Sequence, residues 1–114
     1  MYKDLEKIKD LLMYKALEID SVAHINGDDL TVTIASEECA ELIQALSKVK
    51  RYGLEGDHKD NLQEEVADVF ICISELLFLG YIDMEKVDEW HKYKVDREIS
   101  RAEERRKEQK RWRL

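Results

Sequence analysis

Proline is absent from this 114-residue chain and glycine occurs only four times, so the two residues that interrupt helices are almost missing. Both residues are unfavourable inside helices, and their scarcity favours a helical protein. Hydrophobic residues make up 44% of the chain, which is enough for a core, although charged residues make up a high 39%. The length suits a single domain, which we place at residues 1–114.

Cysteines and long apolar runs are also scarce. The two cysteines, Cys39 and Cys72, lie in apolar segments and lack the CxxC or Cys/His spacing of a metal site. We expect them to be reduced core residues of a cytoplasmic protein. The longest apolar run, residues 69–79, is interrupted by a serine and a glutamate and is shorter than the roughly 20 residues of a membrane span. The start of the chain has no signal-peptide core, and we expect no membrane partner.

Charge is unevenly distributed along the chain. The segment Arg101–Leu114 contains seven basic and three acidic residues and has a net charge of +4. Because the net charge of the whole chain is −7, the remainder carries −11. An acidic body argues against general nucleic-acid binding, which needs a broad basic surface, and we expect no specific nucleic-acid partner. The acids interleaved in the basic segment predict a solvated helical tail over about residues 101–114. The acidic body is compatible with cation binding.

Apolar residues recur at helical spacing in four segments. The pattern predicts helices over about residues 3–19, 30–52, 60–79 and from 83 towards the end. A connection over residues 20–29 contains the turn signal Asn26-Gly27, and Gly80 ends the third helix. The β-branched segment 30–34 resembles a strand, but no partner strand occurs elsewhere, so we interpret it as helix. Four helices with short connections predict an all-α, four-helix bundle-like domain.

The third predicted helix is apolar on nearly all sides from Val69 to Leu79. A helix of this kind must be covered on several faces. A small bundle cannot easily provide that cover alone, so we expect a homo-oligomer, either a homodimer or a homotetramer.

Two of the predicted helices carry acids on their apolar faces. On a helical wheel, Glu38 lies in the middle of the apolar stripe of the second helix, and Glu41 lies about 60° away. Glu65 and Asp68 repeat this arrangement on the third helix. Ionised carboxylates are costly to bury unless they are paired, and four together also repel each other. A hard divalent cation such as Mg²⁺ would relieve both costs, because it takes oxygen ligands from facing helices.

Two alternatives compete with this interpretation. Pairs of acids three residues apart occur by chance in a chain with 26 acids, and Lys48, Lys50 or Arg51 could reach back to neutralise them.

A simple hairpin about residues 53–57 would also leave the two pairs of acids about five residues out of register, or roughly 7 Å. An extended connection or a tilted crossing could absorb that offset.

At these acids the sequence resembles the MazG-like, all-α nucleoside triphosphate pyrophosphohydrolases, especially short phage-type members. The segments Glu37-Glu38-Cys39-Ala40-Glu41 and Glu64-Glu65-Val66-Ala67-Asp68 look like the ExxE and ExxD metal motifs of that family. The order continues with Gly80-Tyr81-Ile82-Asp83 and a late Lys94-Val95-Asp96-Arg97. The resemblance covers about residues 30–101.

The resemblance implies Mg²⁺-dependent hydrolysis of a nucleoside or deoxynucleoside triphosphate to the monophosphate and pyrophosphate, with Mn²⁺ as a second possible ion. It implies that Glu38, Glu41, Glu65 and Asp68 are catalytic metal ligands. It also implies that Lys94 and Arg97 contact the substrate phosphates.

The alternative to an enzyme is a non-catalytic helical interaction module that keeps the acids as a structural or vestigial metal site.

Overall fold

The computed structural model describes residues 2–113, which contain four helices and no strand. They are α1 (Tyr2–Met13), α2 (Ala16–Tyr52), α3 (His58–Phe78) and α4 (Met84–Trp112). The predicted all-α fold is confirmed, and the β-branched segment 30–34 is helical. Met1 and Leu114, the ends of the predicted domain, lie outside the described residues.

The boundary between the first two helices differs from the prediction. α1 ends at Met13 rather than near residue 19, and Lys15 adopts the left-handed conformation with φ 48°. α2 begins at Ala16, so most of the predicted connection over residues 20–29 is helical and that prediction is wrong. The apolar spacing continues across the break at Lys15, so periodicity alone gave no sign of it. Nothing between Ala16 and Ile25 interrupts a helix, because the segment contains neither glycine nor proline.

The turn signal marks a kink within α2. Gly27 has φ 81° and ψ 172°, values outside the helical region that are essentially restricted to glycine. Two helical segments therefore meet at this residue. Desolvation of the Tyr81 phenol, with the nearby carboxylate of Asp28 directly after the kink as the next cause, raises the pKa of Tyr81.

The main interface of the fold is the antiparallel hairpin of α2 and α3, while α1 packs less extensively against α3. Residues 53–57 join α2 to α3, and the Tyr52 and His58 rings stack across the connection with centroids 5.1 Å apart. The buried hydrophobic side chains are small, which allows the helices to approach closely. They are Ala23, Ala35, Ala45 and Cys72.

α4 belongs to a separate unit. The residues up to Ile82 form one compact unit, and those from Asp83 onward form another. A side-chain oxygen of Asp83 accepts a hydrogen bond from the Glu85 backbone nitrogen at 3.0 Å, which confirms the predicted helix cap. The single-domain organisation over residues 1–114 stays a prediction.

Many large apolar side chains are exposed on the isolated chain. Leu17 and Ile25 of α2 are 81% and 82% exposed, and Leu5 of α1 is 59% exposed. Exposed apolar surface on this scale is typical of an interaction surface, so it supports the expected homo-oligomer, which stays a prediction. Within residues 2–113, no helix combines the length and the hydropathy that a membrane crossing requires.

Candidate metal centre

The four acids singled out in the sequence meet at the interface of α2 and α3. Glu38 and Glu41 come from α2, while Glu65 and Asp68 come from α3. One carboxylate oxygen from each residue lies within 4.8 Å of those from the other three. The spacing of three residues brings both acids of each helix to the same side, as the wheel predicts.

The four acids meet despite the offset expected for a simple hairpin. Glu41 lies 11 residues before the end of α2 at Tyr52, and Glu65 lies seven residues after the start of α3 at His58. The difference of four residues corresponds to about 6 Å along the helix axis. Gly53 and Gly56 both have positive φ, 79° and 64°, and they allow the connection to turn back along the hairpin.

Two of the carboxylate oxygens are buried and have no hydrogen-bond partner among residues 2–113. They are Oε2 of Glu38 and Oε2 of Glu65. Glu65 as a whole is only 9% exposed, whereas Glu41 at the edge of the cluster is exposed. A buried carboxylate oxygen without a partner is unfavourable, because it has lost water and gained nothing in exchange. These oxygens are suited to a positively charged or hydrogen-bonding ligand.

Burial and, after it, mutual repulsion raise the pKa values of two of the four acids. Burial raises the pKa of Glu38 to about 7, and the neighbouring charges of Glu41 and Asp68 add to the effect. Burial also raises the pKa of Glu65, followed by the charge of Glu41. Both changes have the direction expected when carboxylates share a site without a cation. Near neutral pH the cluster favours binding either a proton or a metal ion.

Basic side chains do not neutralise the cluster. Of the six ion pairs among residues 2–113, none involves any of the four acids. No ion pair among the described residues involves the three basic residues that could have reached back, Lys48, Lys50 and Arg51. The Arg51 guanidinium instead lies over the Tyr52 ring, 5.8 Å from its centre. The alternative of internal neutralisation by these residues is therefore wrong.

The donor set fits a hard divalent cation. All four side chains offer carboxylate oxygens, which Mg²⁺ and Mn²⁺ prefer over nitrogen or sulfur ligands. The nearby Cys72 thiol is 5% exposed, and burial, with the charge of Glu75 next, raises its pKa to about 11. A thiol of this kind stays protonated at neutral pH and is a poor metal ligand. The arrangement can hold a divalent ion through oxygen atoms alone.

The two predicted phosphate-binding residues lie on α4, in the second unit. Lys94 is exposed, and Arg97 is partly buried with its guanidinium carbon 5.9 Å from the centre of the Tyr93 ring. Their spacing of three residues places them on one side of α4. Contact of these residues with a phosphate stays a prediction.

Sequence analysis passed over two buried polar residues of the α2–α3 interface. Thr31 is 1% exposed and its hydroxyl has no hydrogen-bond partner, while Glu75 is 6% exposed. Burial raises the pKa of Glu75. The available signal was spacing: each residue lies seven positions, or about two turns, from an acid of the cluster on its own helix. The two helices of the hairpin thus each carry one further buried polar side chain beyond the four acids.

Comparison with known proteins identifies one family. The family model described as the MazG nucleotide pyrophosphohydrolase domain matches residues 27–100 of the 114-residue chain. The match includes all four acids of the cluster as well as Lys94 and Arg97. No curated protein and no solved structure shows significant similarity to the chain.

Proposed function

Because this chain belongs to the MazG nucleotide pyrophosphohydrolase family, we propose that it hydrolyses a nucleoside or deoxynucleoside triphosphate with the aid of Mg²⁺. The cleaved bond joins the α and β phosphates, so the products are the monophosphate and pyrophosphate. The family match gives the class of enzyme. The ion, the triphosphate substrate and the roles of individual residues are parts of the proposal.

One observation carries the proposal for the site. Four carboxylates from two facing helices converge within 4.8 Å, and two of their buried oxygens have no partner. A folded protein that served only as a scaffold would gain stability by replacing such a cluster with apolar side chains. Unpaired, repelling acids at a helix interface are typical of a site that is completed by a ligand.

We propose that Glu38, Glu41, Glu65 and Asp68 hold Mg²⁺, or Mn²⁺ in its place. When bound, the ion supplies positive charge that neutralises the triphosphate and makes an attacking water more acidic. The acids keep their ionised form in that state, since a nearby cation lowers the pKa of a carboxylate. The rigid α2–α3 hairpin fixes their positions before the substrate arrives, which limits the cost of ordering the site.

Lys94 and Arg97 are the proposed contacts to the phosphates. Their cationic side chains can bind phosphate oxygens and stabilise the negative charge that develops as the anhydride bond breaks. Arg97 can form two parallel hydrogen bonds to a phosphate, whereas Lys94 acts as a point charge. Loss of Arg97 should therefore weaken catalysis more than loss of Lys94.

We also propose that the protein works as a cytoplasmic homodimer or homotetramer. The exposed apolar residues of α1 and α2, among them Leu5, Leu17 and Ile25, support association with further copies. The cytoplasmic location is supported by the sequence, in which neither cysteine has a spacing typical of a disulfide framework or a metal site.

The proposal is tested by product analysis on a panel of ribonucleoside and deoxynucleoside triphosphates. Each nucleotide is incubated with the full chain and Mg²⁺ or Mn²⁺, and the products are separated by ion-exchange chromatography. We expect equal amounts of monophosphate and pyrophosphate from at least one nucleotide, and no reaction with EDTA. Release of orthophosphate alone, or no release from any nucleotide, would contradict the proposal and favour the non-catalytic interaction module.

A further inference from the structure

The C-terminal end of α4 has a strong local excess of positive charge. Residues 105–113 contain six basic residues and one acid, a net charge of +5. All described side chains of this segment are exposed, and the indole of Trp112 is 84% exposed. This segment plays no part in the proposed hydrolysis, and it lies beyond the family match, which ends at residue 100.

The positive charge is concentrated on one side of the helix. At about 100° per residue, six residues fall within an arc of roughly 160° that contains no acid. We call this arc the basic face, and it consists of Arg105, Arg106, Gln109, Lys110, Trp112 and Arg113. A shallow groove at this end of the helix is lined by four residues of the basic face and by one acid, namely Arg105, Gln109, Trp112, Arg113 and Glu108.

Most of the positively charged residues of the basic face form no ion pair with an acid of α4 among the described residues. Five ion pairs lie along the described part of α4, and only one residue of the basic face joins any of them. That residue is Arg105, at a long 3.8 Å from Glu98. Arg106, Lys110 and Arg113 have no acidic partner among the described residues of α4. On a solvated helix, basic residues commonly pair with acids three or four positions away, as Lys92 does with Asp88 at 2.8 Å. The three basic residues named above do not.

The acidic body argues against nucleic-acid binding by the chain as a whole, but the basic face is a local exception, and we propose that it binds single-stranded nucleic acid without sequence preference. Guanidinium and ammonium groups bind phosphates, and an exposed indole offers a flat surface on which an unpaired base can stack. A duplex uses the charges but not the indole, because its bases are already stacked on each other. The acidic body of a second copy is the competing occupant, because it would pair with the charges and cover the 84% exposed indole, and the variants below distinguish it from a single strand.

The binding is measured by fluorescence anisotropy with the full chain. The probe is a fluorescein-labelled oligothymidylate of about 20 nucleotides with hydroxyl ends, longer than a typical single-strand site. EDTA is present, so neither a metal ion nor a triphosphate engages the four-acid cluster. We expect saturable binding at low salt, with log affinity falling against log salt with a slope of about −2 to −3, as three or four phosphate contacts predict. The duplex of the same length should bind more weakly.

Two variants locate the binding. The triple change Arg106→Glu, Lys110→Glu and Arg113→Glu should weaken binding by at least about tenfold, since it removes three phosphate contacts and introduces repulsion. Trp112→Ala should weaken binding by about fivefold or more while leaving the salt dependence unchanged. Circular dichroism should show that both variants keep their helical content.

The matched control is the triple change Lys3→Glu, Lys7→Glu and Lys9→Glu on α1, which alters the net charge by the same amount. It should bind nearly as tightly as the wild type. Absence of wild-type binding at low salt, equal losses in both triple variants, or equal affinity for single strand and duplex would each overturn the proposal. The proposal would also be overturned if the triple variant of the basic face lost self-association but bound the oligonucleotide as tightly as the wild type, because the basic face would then dock on a second copy. Activity of the hydrolase does not enter the measurement.

Discussion

Replacing Glu38 by glutamine should stabilise the metal-free protein at neutral and alkaline pH. Glutamine keeps the size and shape of the side chain and removes its charge from the four-acid cluster. Glu38 has a pKa of about 7 in the folded chain, against an ordinary value of 4.5. Between these two pH values the folded state holds a proton that the unfolded state has released, so the wild type loses stability as pH rises.

The size of the effect follows from the same numbers. A tenfold difference in proton affinity corresponds to about 1.4 kcal/mol, so a rise from 4.5 to about 7 sets an upper limit of about 3–4 kcal/mol on the cost of the Glu38 charge above pH 7. The side chain is only partly buried, and solvent screening reduces the expected cost to about 1–2 kcal/mol. For a chain of this size the glutamine variant should melt about 4–8 °C higher at pH 8. Below pH 4.5 the difference should vanish, since Glu38 is protonated in both states.

The assay is thermal unfolding followed by circular dichroism in EDTA, at pH 4, 6 and 8. Glu55→Gln serves as the control, because Glu55 is an exposed residue of the connection between α2 and α3. Its melting temperature should follow the wild type at each pH. A glutamine variant of Glu38 that is less stable at pH 8, or equally stabilised at pH 4 and pH 8, would refute the argument from repulsion.

Three further outcomes are expected. Several millimolar Mg²⁺ should raise the melting temperature of the wild type above its value in EDTA, because a ligand that binds the native state stabilises it. The melting temperature of the Glu38→Gln variant should change little. Equal responses of the two proteins would count against the metal site. Sedimentation equilibrium at micromolar concentration should give a dimer or tetramer mass, and a monomer mass would refute the expected association. Gly27→Ala should lower stability by about 1–3 kcal/mol in urea unfolding, since only glycine tolerates φ 81° with ψ 172°. An unchanged urea midpoint would show that the kink at Gly27 is dispensable.

Much of the fold could be predicted from the sequence, because helical periodicity and the scarcity of glycine and proline act locally. The bounds of α3 and the cap of α4 at Asp83 follow from such signals. The break at Lys15 did not, since a left-handed lysine has no sequence signature of its own and the apolar pattern continues past it.

The acidic cluster could be predicted as a set of residues but not as a geometry. Helical spacing put each pair of acids on an apolar face, yet their meeting depended on residues 53–57, where two glycines at positive φ let the chain turn back. The burial of Thr31 and Glu75 was not predicted, although each lies two turns from an acid of the cluster on its own helix. Spacing alone does not distinguish a buried polar residue from one on a solvated face.

The most direct test of the central claim is the activity of cluster variants that remain folded. Glu38→Gln or Asp68→Asn should abolish Mg²⁺-dependent release of pyrophosphate from the preferred triphosphate while helical content and melting temperature are kept or raised. Glu85→Gln, a matched change in the exposed first turn of α4, should retain wild-type turnover. Full turnover by either cluster variant would contradict the claim that these carboxylates hold the catalytic ion.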